Sequence, residues 1–295
     1  MKQKTLLLID GFNLLSRCYF ATSYGRDVSQ LPRNNSGLYI NALTVMFRKI
    51  FSLLHTYAPS HMAVCWDVKR NETKRKELFD LYKGTRTDLP EPLIEQFLTS
   101  QKLLDAIGIF HLSIDTYEAD DIIGAIASRW STETNEKCFI YSNDRDLLQL
   151  LDDNVSQIIA GSGRNDIVFT VNHFQEKYGI LPPQWIDVKA LLGDKSDNIP
   201  GVAGVGEKAA IPLIKAHKNI HGIYNNIENL DKQFLRYKKK LIDGKEMAFL
   251  SRQLAEIITE IPQISELDFH ALELSLNTEK ISEEFNQFEL GIQVS

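Results

Sequence analysis

The sequence predicts an α/β fold, with a mostly parallel central sheet flanked by helices and a helical region after it. Three short apolar runs lead into an aspartate: residues 5–9 before Asp10, residues 62–66 before Asp67, and residues 138–141 shortly before Asp144. Continuous apolar runs of this length read as strands buried on both faces. Helical spacing fills the intervals, and such alternation implies parallel pairing. In an open parallel sheet the carboxyl ends of the strands share one edge, where ligands bind. Three aspartates at that edge repel one another unless positive charge sits among them, and divalent cations are the natural choice. The pattern points to a metal-dependent site for phosphate chemistry.

The elements follow in order. After the first strand, residues 36–57 carry Leu38, Leu43, Met46, Phe47, Ile50, Leu53 and Leu54 at helical spacing. The second strand spans 61–66, and an amphipathic helix covers 91–107, opening after Pro90. Residues 109–114 suggest a strand, 118–130 a helix and 138–142 the next strand. Residues 155–160 and 167–170 look like a late hairpin. From Pro182 strand signals fade, and helical ones run to about residue 258; the last 35 residues carry no clear assignment. This divides the chain into a catalytic α/β part, 1–175, and a helical part, 176–295. No internal repeat or low-complexity tract interrupts it.

Composition is that of a globular protein, 43% hydrophobic and 24% charged. No apolar run approaches the roughly 20 residues of a membrane span, so no membrane partner is expected. The first apolar run meets Asp10 too soon for a signal peptide. Cys18, Cys65 and Cys138 form no C-x-x-C pair and read as reduced core residues, implying a cytoplasmic protein. The net charge of −6 at first disfavours a nucleic-acid partner. Setting nine clustered acids aside from 39 leaves 30 against 33 Lys and Arg, a balance of +3. The basic residues are bunched. One group is Lys69, Arg70, Lys74, Arg75, Lys76, Lys83 and Arg86; another is Lys232, Arg236, Lys238, Lys239, Lys240 and Lys245. Either is equally consistent with a solvated helix face. The charged stretch from Asp67 to Pro90 has too little apolar surface for a core helix, and such connectors are more often functional lids.

Further acids stand at helix starts. Glu118, Asp120 and Asp121 open one helix, and Asp144 and Asp146 flank Arg145 where a strand gives way to another. Asp194 and Asp197 lie in a turn-like segment. Each cluster alone is explained by N-terminal capping or a turn. Jointly, five places put carboxylates where they can converge. Hard oxygen ligands suit Mg²⁺ or Mn²⁺, and no His or Cys has soft-metal spacing. Two such ions about 4 Å apart suit phosphodiester hydrolysis. Residues 199–210 then form a tight turn entering a helix, with Gly201, Gly204 and Gly206 followed by Lys208. Its glycines let backbone approach a phosphate, and the helix start offers free N–H groups. The P-loop spacing is missing. A turn between helices fits sequence-independent contact with a nucleic-acid backbone, or a purely structural connector.

Together these motifs resemble the 5′ nuclease family: the N-terminal domain of bacterial DNA polymerase I, stand-alone bacterial and phage 5′–3′ exonucleases, and flap endonucleases. The likeness runs in motif order over about residues 5–258, through Asp10 with Arg17, Trp66-Asp67, Arg75, Tyr82-Lys83, Arg86, Glu118 to Asp121, Asp144 to Asp146, and Gly193-Asp194 to Ala209. It is strongest to the polymerase-type branch, yet no polymerase follows, which implies a stand-alone member. The resemblance implies a PIN-like nuclease fold with a helical arch at about 69–90 and a helix–hairpin–helix turn at 199–210. Asp10, Asp67, Glu118 and Asp120 would serve one metal, and Asp144, Asp146 and Asp194 a second, with Asp121 and Asp197 acting through water. Lys83 and Arg86 would contact the scissile phosphate, Tyr82 would stack on a base, Arg75 would bind phosphate, and Arg17 would bind DNA. Gly201, Gly204, Gly206 and Lys208 would grip duplex DNA, where some relatives hold K⁺ on backbone carbonyls. The implied activity is two-metal cleavage near 5′ ends of DNA, at flaps, nicks or gaps, and of RNA primers on DNA, by a monomer serving replication and repair.

The chain departs from the pattern at Asn143, where glycine is usual, at Phe12-Asn13, where small hydroxyl residues are common, and by one extra residue between Asp67 and Arg75. Two other readings compete. A PIN-type ribonuclease would show fewer acids and lack the arch and glycine hairpin. A catalytically inactive nucleic-acid-binding module would have lost a central acid, and none is lost.

Overall fold

A computed structural model describes residues 4–68, 72–85, 87–161 and 165–293. Six strands form one sheet in the order β3-β2-β1-β4-β5-β6: β1 (Thr5–Asp10), β2 (His61–Cys65), β3 (His111–Leu112), β4 (Lys137–Tyr141), β5 (Val155–Ala160) and β6 (Asp166–Phe169). All pairings are parallel except β5 with β6, the expected hairpin. The strand expected at 109–114 shrinks to two residues, at the sheet's edge. Register places Asp10 beside Cys65 and Ile9 beside Tyr141, so the three aspartate-bearing ends finish level.

Alternation along β1 shows why the run is continuously apolar. Leu7 and Ile9 enter one core, with α1 (Gly11–Ser23), α2 (Asn41–Tyr57) and α4 (Glu91–Ile107) over it. Leu6 and Leu8 enter the other, under α5 (Ala119–Thr134). Both faces are covered, as an all-apolar strand requires. The helix α1 went unassigned in the sequence; Asp10 starts it by accepting from the Asn13 N–H at 3.0 Å. Among its described residues, the connector after Asp67 holds a five-residue helix, α3 (Lys74–Leu78), and a run of turns.

The helical part comprises α6 (Val171–Tyr178), α7 (Trp185–Leu192), α8 (Glu207–His217), α9 (Ile220–Asn225), α10 (Lys238–Asp243) and α11 (Lys245–Ala255) around its own core. The expectation of one unit from 176 to 295 needs correcting. Beyond α11 the chain returns to the sheet: Ile257, Ile261, Ile264 and Leu272 join one of its cores, and Ile281, Phe285 and Leu290 the other. Leu274 N–H donates to the Ser60 carbonyl at 2.9 Å, and α13 (Thr278–Gln287), after the short α12 (Pro262–Ser265), packs Phe285 on Phe47 and Phe51. Sparse apolar residues hid this strap, because each fills a separate socket in a surface made elsewhere. Among the described residues no helix is long and apolar enough to cross a membrane.

Candidate active site

The acids converge at the sheet's carboxyl edge. The second oxygen of Asp10 accepts from Ser142 Oγ at 2.9 Å, and that hydroxyl accepts in turn from the Asp144 N–H. Asp67 accepts from the Ala119 N–H at 3.0 Å, which ties it to the start of α5 where Glu118 and Asp120 stand. Asp144 accepts from the Asp146 N–H at 2.8 Å. Gln157, from β5, donates to the carbonyls of Ser142 and Asp144 and fixes this loop to the sheet. Asp194 follows α7 and accepts from the N–H and hydroxyl of Ser196.

Two ammonium groups stand among these carboxylates. Lys83 Nζ lies 2.8 Å from Glu118 Oε1 and 3.9 Å from Asp197 Oδ2. Lys189 Nζ lies 2.7 Å from Asp146 Oδ1 and 2.6 Å from Asp194 Oδ2. Lys189 was missed in the sequence. Its only signal there is a basic charge in the mostly apolar run of α7, where Trp185, Val188, Ala190 and Leu191 are buried along with Asp187. Even with both lysines the site is short of positive charge. Burial, then Asp67 and Asp144, push the Asp10 carboxyl up to about 7. Burial and Asp144 push Asp146 up to about 7 against the pull of Lys189. Burial and Asp144 also raise Asp120 well above the carboxylate range. Asp194 is the exception: hydrogen bonds from Lys189 and Ser196 outweigh burial and hold it at about 2.

This donor set, all oxygen and starved of cation, fits hard divalent ions. As the side chains stand, no group of three or more His, Cys, Asp or Glu among the described residues is ready to hold a metal. Lys83 and Lys189 lie between the carboxylates that would have to close on one.

Folded, Asp10 and Asp146 keep protons to about pH 7, whereas in the unfolded chain they release them near pH 4. The folded state therefore binds more protons in that window, and metal-free stability falls as pH rises through it. Asp194 acts oppositely, its contribution being lost only as pH falls toward 2. In EDTA the melting temperature should drop from about pH 5 to about pH 7.5, and a saturating divalent ion should remove the drop. Calorimetry showing stability rising across that range in EDTA would contradict the cluster's electrostatics.

Several expected roles change. Arg75, expected on phosphate, is 5% exposed and grips Asp121 with two hydrogen bonds of 2.7 Å. It also donates to Glu118 and to the carbonyls of Leu254 and Glu256. Asp121, expected to reach metal through water, is 1% exposed and spent on Arg75 and the N–H groups of Glu118 and Ile258. Tyr82, expected to stack on a base, is buried against Ile199 and Leu254 and donates to Glu118 at 3.0 Å. The physical reason is shared: Arg75 of α3 and Tyr82 of the turns after it both face Glu118 and the end of α11, which turns these side chains inward. Arg86 lies outside the described residues, as do Lys69 and Arg70 of the same stretch. Breaking a buried ion pair by deleting one partner typically costs about 3–5 kcal/mol. Arg75→Ala should lose stability on that scale in denaturant titration, and a loss under about 1 kcal/mol would show that the buried network carries little.

Arg17 donates to Asn143 Oδ1 at 3.2 Å, Asn143 N–H to Asn13 Oδ1 at 3.3 Å, and Ala160 N–H to Asn143 at 2.9 Å. The departures at 13 and 143 thus answer each other across two strand ends. In the glycine turn, Gly201 at φ +62° packs on Gly193, where an added Cβ would meet the Gly193 nitrogen at 2.4 Å. Its role is to lock the backbone beside Asp194. Gly204 has φ +76° and lies under Lys240, whose Nζ donates to its carbonyl at 3.2 Å. Gly206 has an ordinary φ of −100° with open space around it, so a side chain there would not strain the backbone. Lys208 is exposed on α8. A cleft of about 510 Å³, lined by Asp144, Arg145, Asp146, Lys189, Asp194 and Glu207, joins the acid cluster to the start of α8.

The chain matches two family models, the N-terminal resolvase-like domain of 5′-3′ exonucleases over residues 5–179 and their C-terminal SAM fold over residues 180–280. It is 54% identical to a 5′-3′ exonuclease of Halalkalibacterium halodurans, covering 93% of this chain and 90% of that protein. It is 41% identical to DNA polymerase I of Streptococcus pneumoniae, over 89% of this chain and 29% of the polymerase. Its fold is that of the bacteriophage T5 D15 flap endonuclease, solved as a pseudo-enzyme-product complex with DNA and metal ions, with a TM-score of 0.67 and 22% identity over 97% of this chain and 99% of that one. Both halves of the sequence being so matched, the chain belongs to the 5′-3′ exonuclease family.

Proposed function

We propose that this protein is a structure-specific 5′–3′ exonuclease and flap endonuclease that hydrolyses phosphodiester bonds near 5′ ends of DNA, and of RNA primers on DNA. The observation that carries the reading is the acid cluster at the sheet's carboxyl edge, which stays short of cation with two lysines already in it. Asp10, Asp67, Glu118 and Asp120 would hold one Mg²⁺, and Asp144, Asp146 and Asp194 another, with Mn²⁺ as a substitute. When bound, such ions supply positive charge for an attacking water and a leaving oxygen. The chain's own residues do the rest. Ser142 and Gln157 orient Asp10 and Asp144. Lys83 brings an ammonium to the phosphate, and the cleft beside Lys189 receives the strand. Replication and repair, in the cytoplasm and as a monomer, are the setting this activity suits.

Lys208 and the 201–206 turn would hold duplex by its phosphates, without reading bases. One carbonyl of the turn already has a cation on it, from Lys240; K⁺ would use the others. Gly204→Val should strain the left-handed backbone and push Lys240 aside. Affinity for duplex-containing substrates should fall and become less steeply salt-dependent. An unchanged affinity and slope in a folded Gly204→Val protein would make the turn a mere connector.

The function is tested by product mapping on a 5′-labelled flap duplex with Mg²⁺, against an EDTA control. One-nucleotide products mark exonuclease action and a released flap marks endonuclease action. No metal-dependent product from any 5′-ended DNA, with cleavage of single-stranded RNA instead, would favour the PIN-type ribonuclease.

A further inference from the structure

We propose that Lys189 is a built-in counter-ion which occupies the second cation position and must be displaced before a divalent ion can bind there. Its ammonium touches one oxygen of Asp146 and one of Asp194, at 2.7 and 2.6 Å. These are the two carboxylates from separate chain segments that any second ion would have to bridge, so the inference rests on the metal-site reading above. Lysine is rarely buried without such a partner, yet Lys189 is only 8% exposed on a helix whose other buried residues are apolar except Asp187, which accepts from the Ile220 N–H. Packing does not explain a lysine there; charge does.

The backbone around it is held while the side chain has somewhere to go. Asp194 and Ile199 exchange backbone hydrogen bonds of 2.9 and 2.8 Å, and Gly193 is pinned by Gly201, so the carboxylate's anchor is fixed. Lys189 lines the 510 Å³ cleft, into which rotation about its side-chain bonds can carry the ammonium. Without such a group, metal-free protein would carry two repelling, partly buried carboxylates. With it, a divalent ion must break a charge-assisted hydrogen bond to Asp194 and an ion pair to Asp146 to enter. Its apparent affinity is then the intrinsic one reduced by the fraction of molecules in which Lys189 has moved away. The first position differs in its counter-ion: there Lys83, from the connector rather than a core helix, pairs with Glu118 at 2.8 Å.

The test is Mn²⁺ binding by titration calorimetry on the full chain without DNA. Wild type is compared with Lys189→Gln and with Lys195→Gln, which removes an exposed charge from the same cleft. In Lys189→Gln the weaker of two binding events should tighten by about tenfold or more, while the tighter one and Lys195→Gln move little. In EDTA Lys189→Gln should melt below wild type, with Mn²⁺ closing the gap. Equal tightening in both variants, or unchanged second-ion affinity in folded Lys189→Gln, overturns the proposal while leaving the metal site standing. Absence of Mn²⁺ binding in every protein takes down the metal site and the proposal together. A wild-type measurement covers the case of a variant that does not fold. The Lys189 Nζ–H signal in NMR, protected from exchange in EDTA, should disappear on addition of Mg²⁺ at the second step; persistence at saturation overturns the proposal.

Discussion

Asp144→Ala is expected to abolish cleavage while sparing binding of a flap substrate. Asp144 stands between the two halves of the acid cluster, and its charge raises Asp10, Asp120 and Asp146 alike. Removing it takes a ligand from the proposed metal site and loosens the loop it caps through the Asp146 N–H. The glycine turn and Lys208 are untouched, so the phosphate contacts proposed for them remain. Metal-free stability should hold or rise, since a carboxylate that repels three neighbours has gone. The measurement pairs single-turnover cleavage with flap-DNA affinity in Ca²⁺. Wild-type rates in a folded Asp144→Ala protein would end the two-metal reading.

Lys83→Ala should lower the rate at saturating enzyme by roughly 10²–10³-fold, the usual worth of one preorganised charge on a developing oxyanion. Lys83 is held for such a role. Its backbone sits at φ +52°, an uncommon conformation for a lysine, and its N–H donates to the Asp197 carbonyl at 2.8 Å. Strain of this kind persists where surrounding structure imposes it, and it concentrates at functional sites. Duplex affinity should change far less than turnover. The variant should also lose some stability, because Glu118 loses a close ammonium. A single-turnover rate matching wild type would reduce Lys83 to a structural counter-charge.

The alternating fold and the acid cluster were legible in the sequence because both are written locally. Strands buried on two faces must be apolar throughout, and an aspartate after each strand lands on one edge whatever the loops do. Parallel register then brings Asp10, Asp67 and Asp144 level. Glu118 and Asp120 were visible as helix-start acids, and Gly201, Gly204 and Gly206 as a tight turn entering a helix.

Other features were decided by contacts across long separations, which no local pattern records. Arg75 and Tyr82 looked like solvent-facing members of a charged stretch; only the seating of α3 against α5 and the end of α11 buries them and spends Asp121. Lys189 became an ion-pair partner because α7 carries it to Asp146, 43 residues upstream in the chain. Asn13 and Asn143 looked like unrelated departures, yet β1 and β4 are neighbours and the Asn13 side chain accepts from the Asn143 N–H. The strap after residue 257 finds its sockets in two cores built by the first half of the chain. Composition and spacing settle which residues can be buried or charged, and tertiary packing settles which charge each one faces.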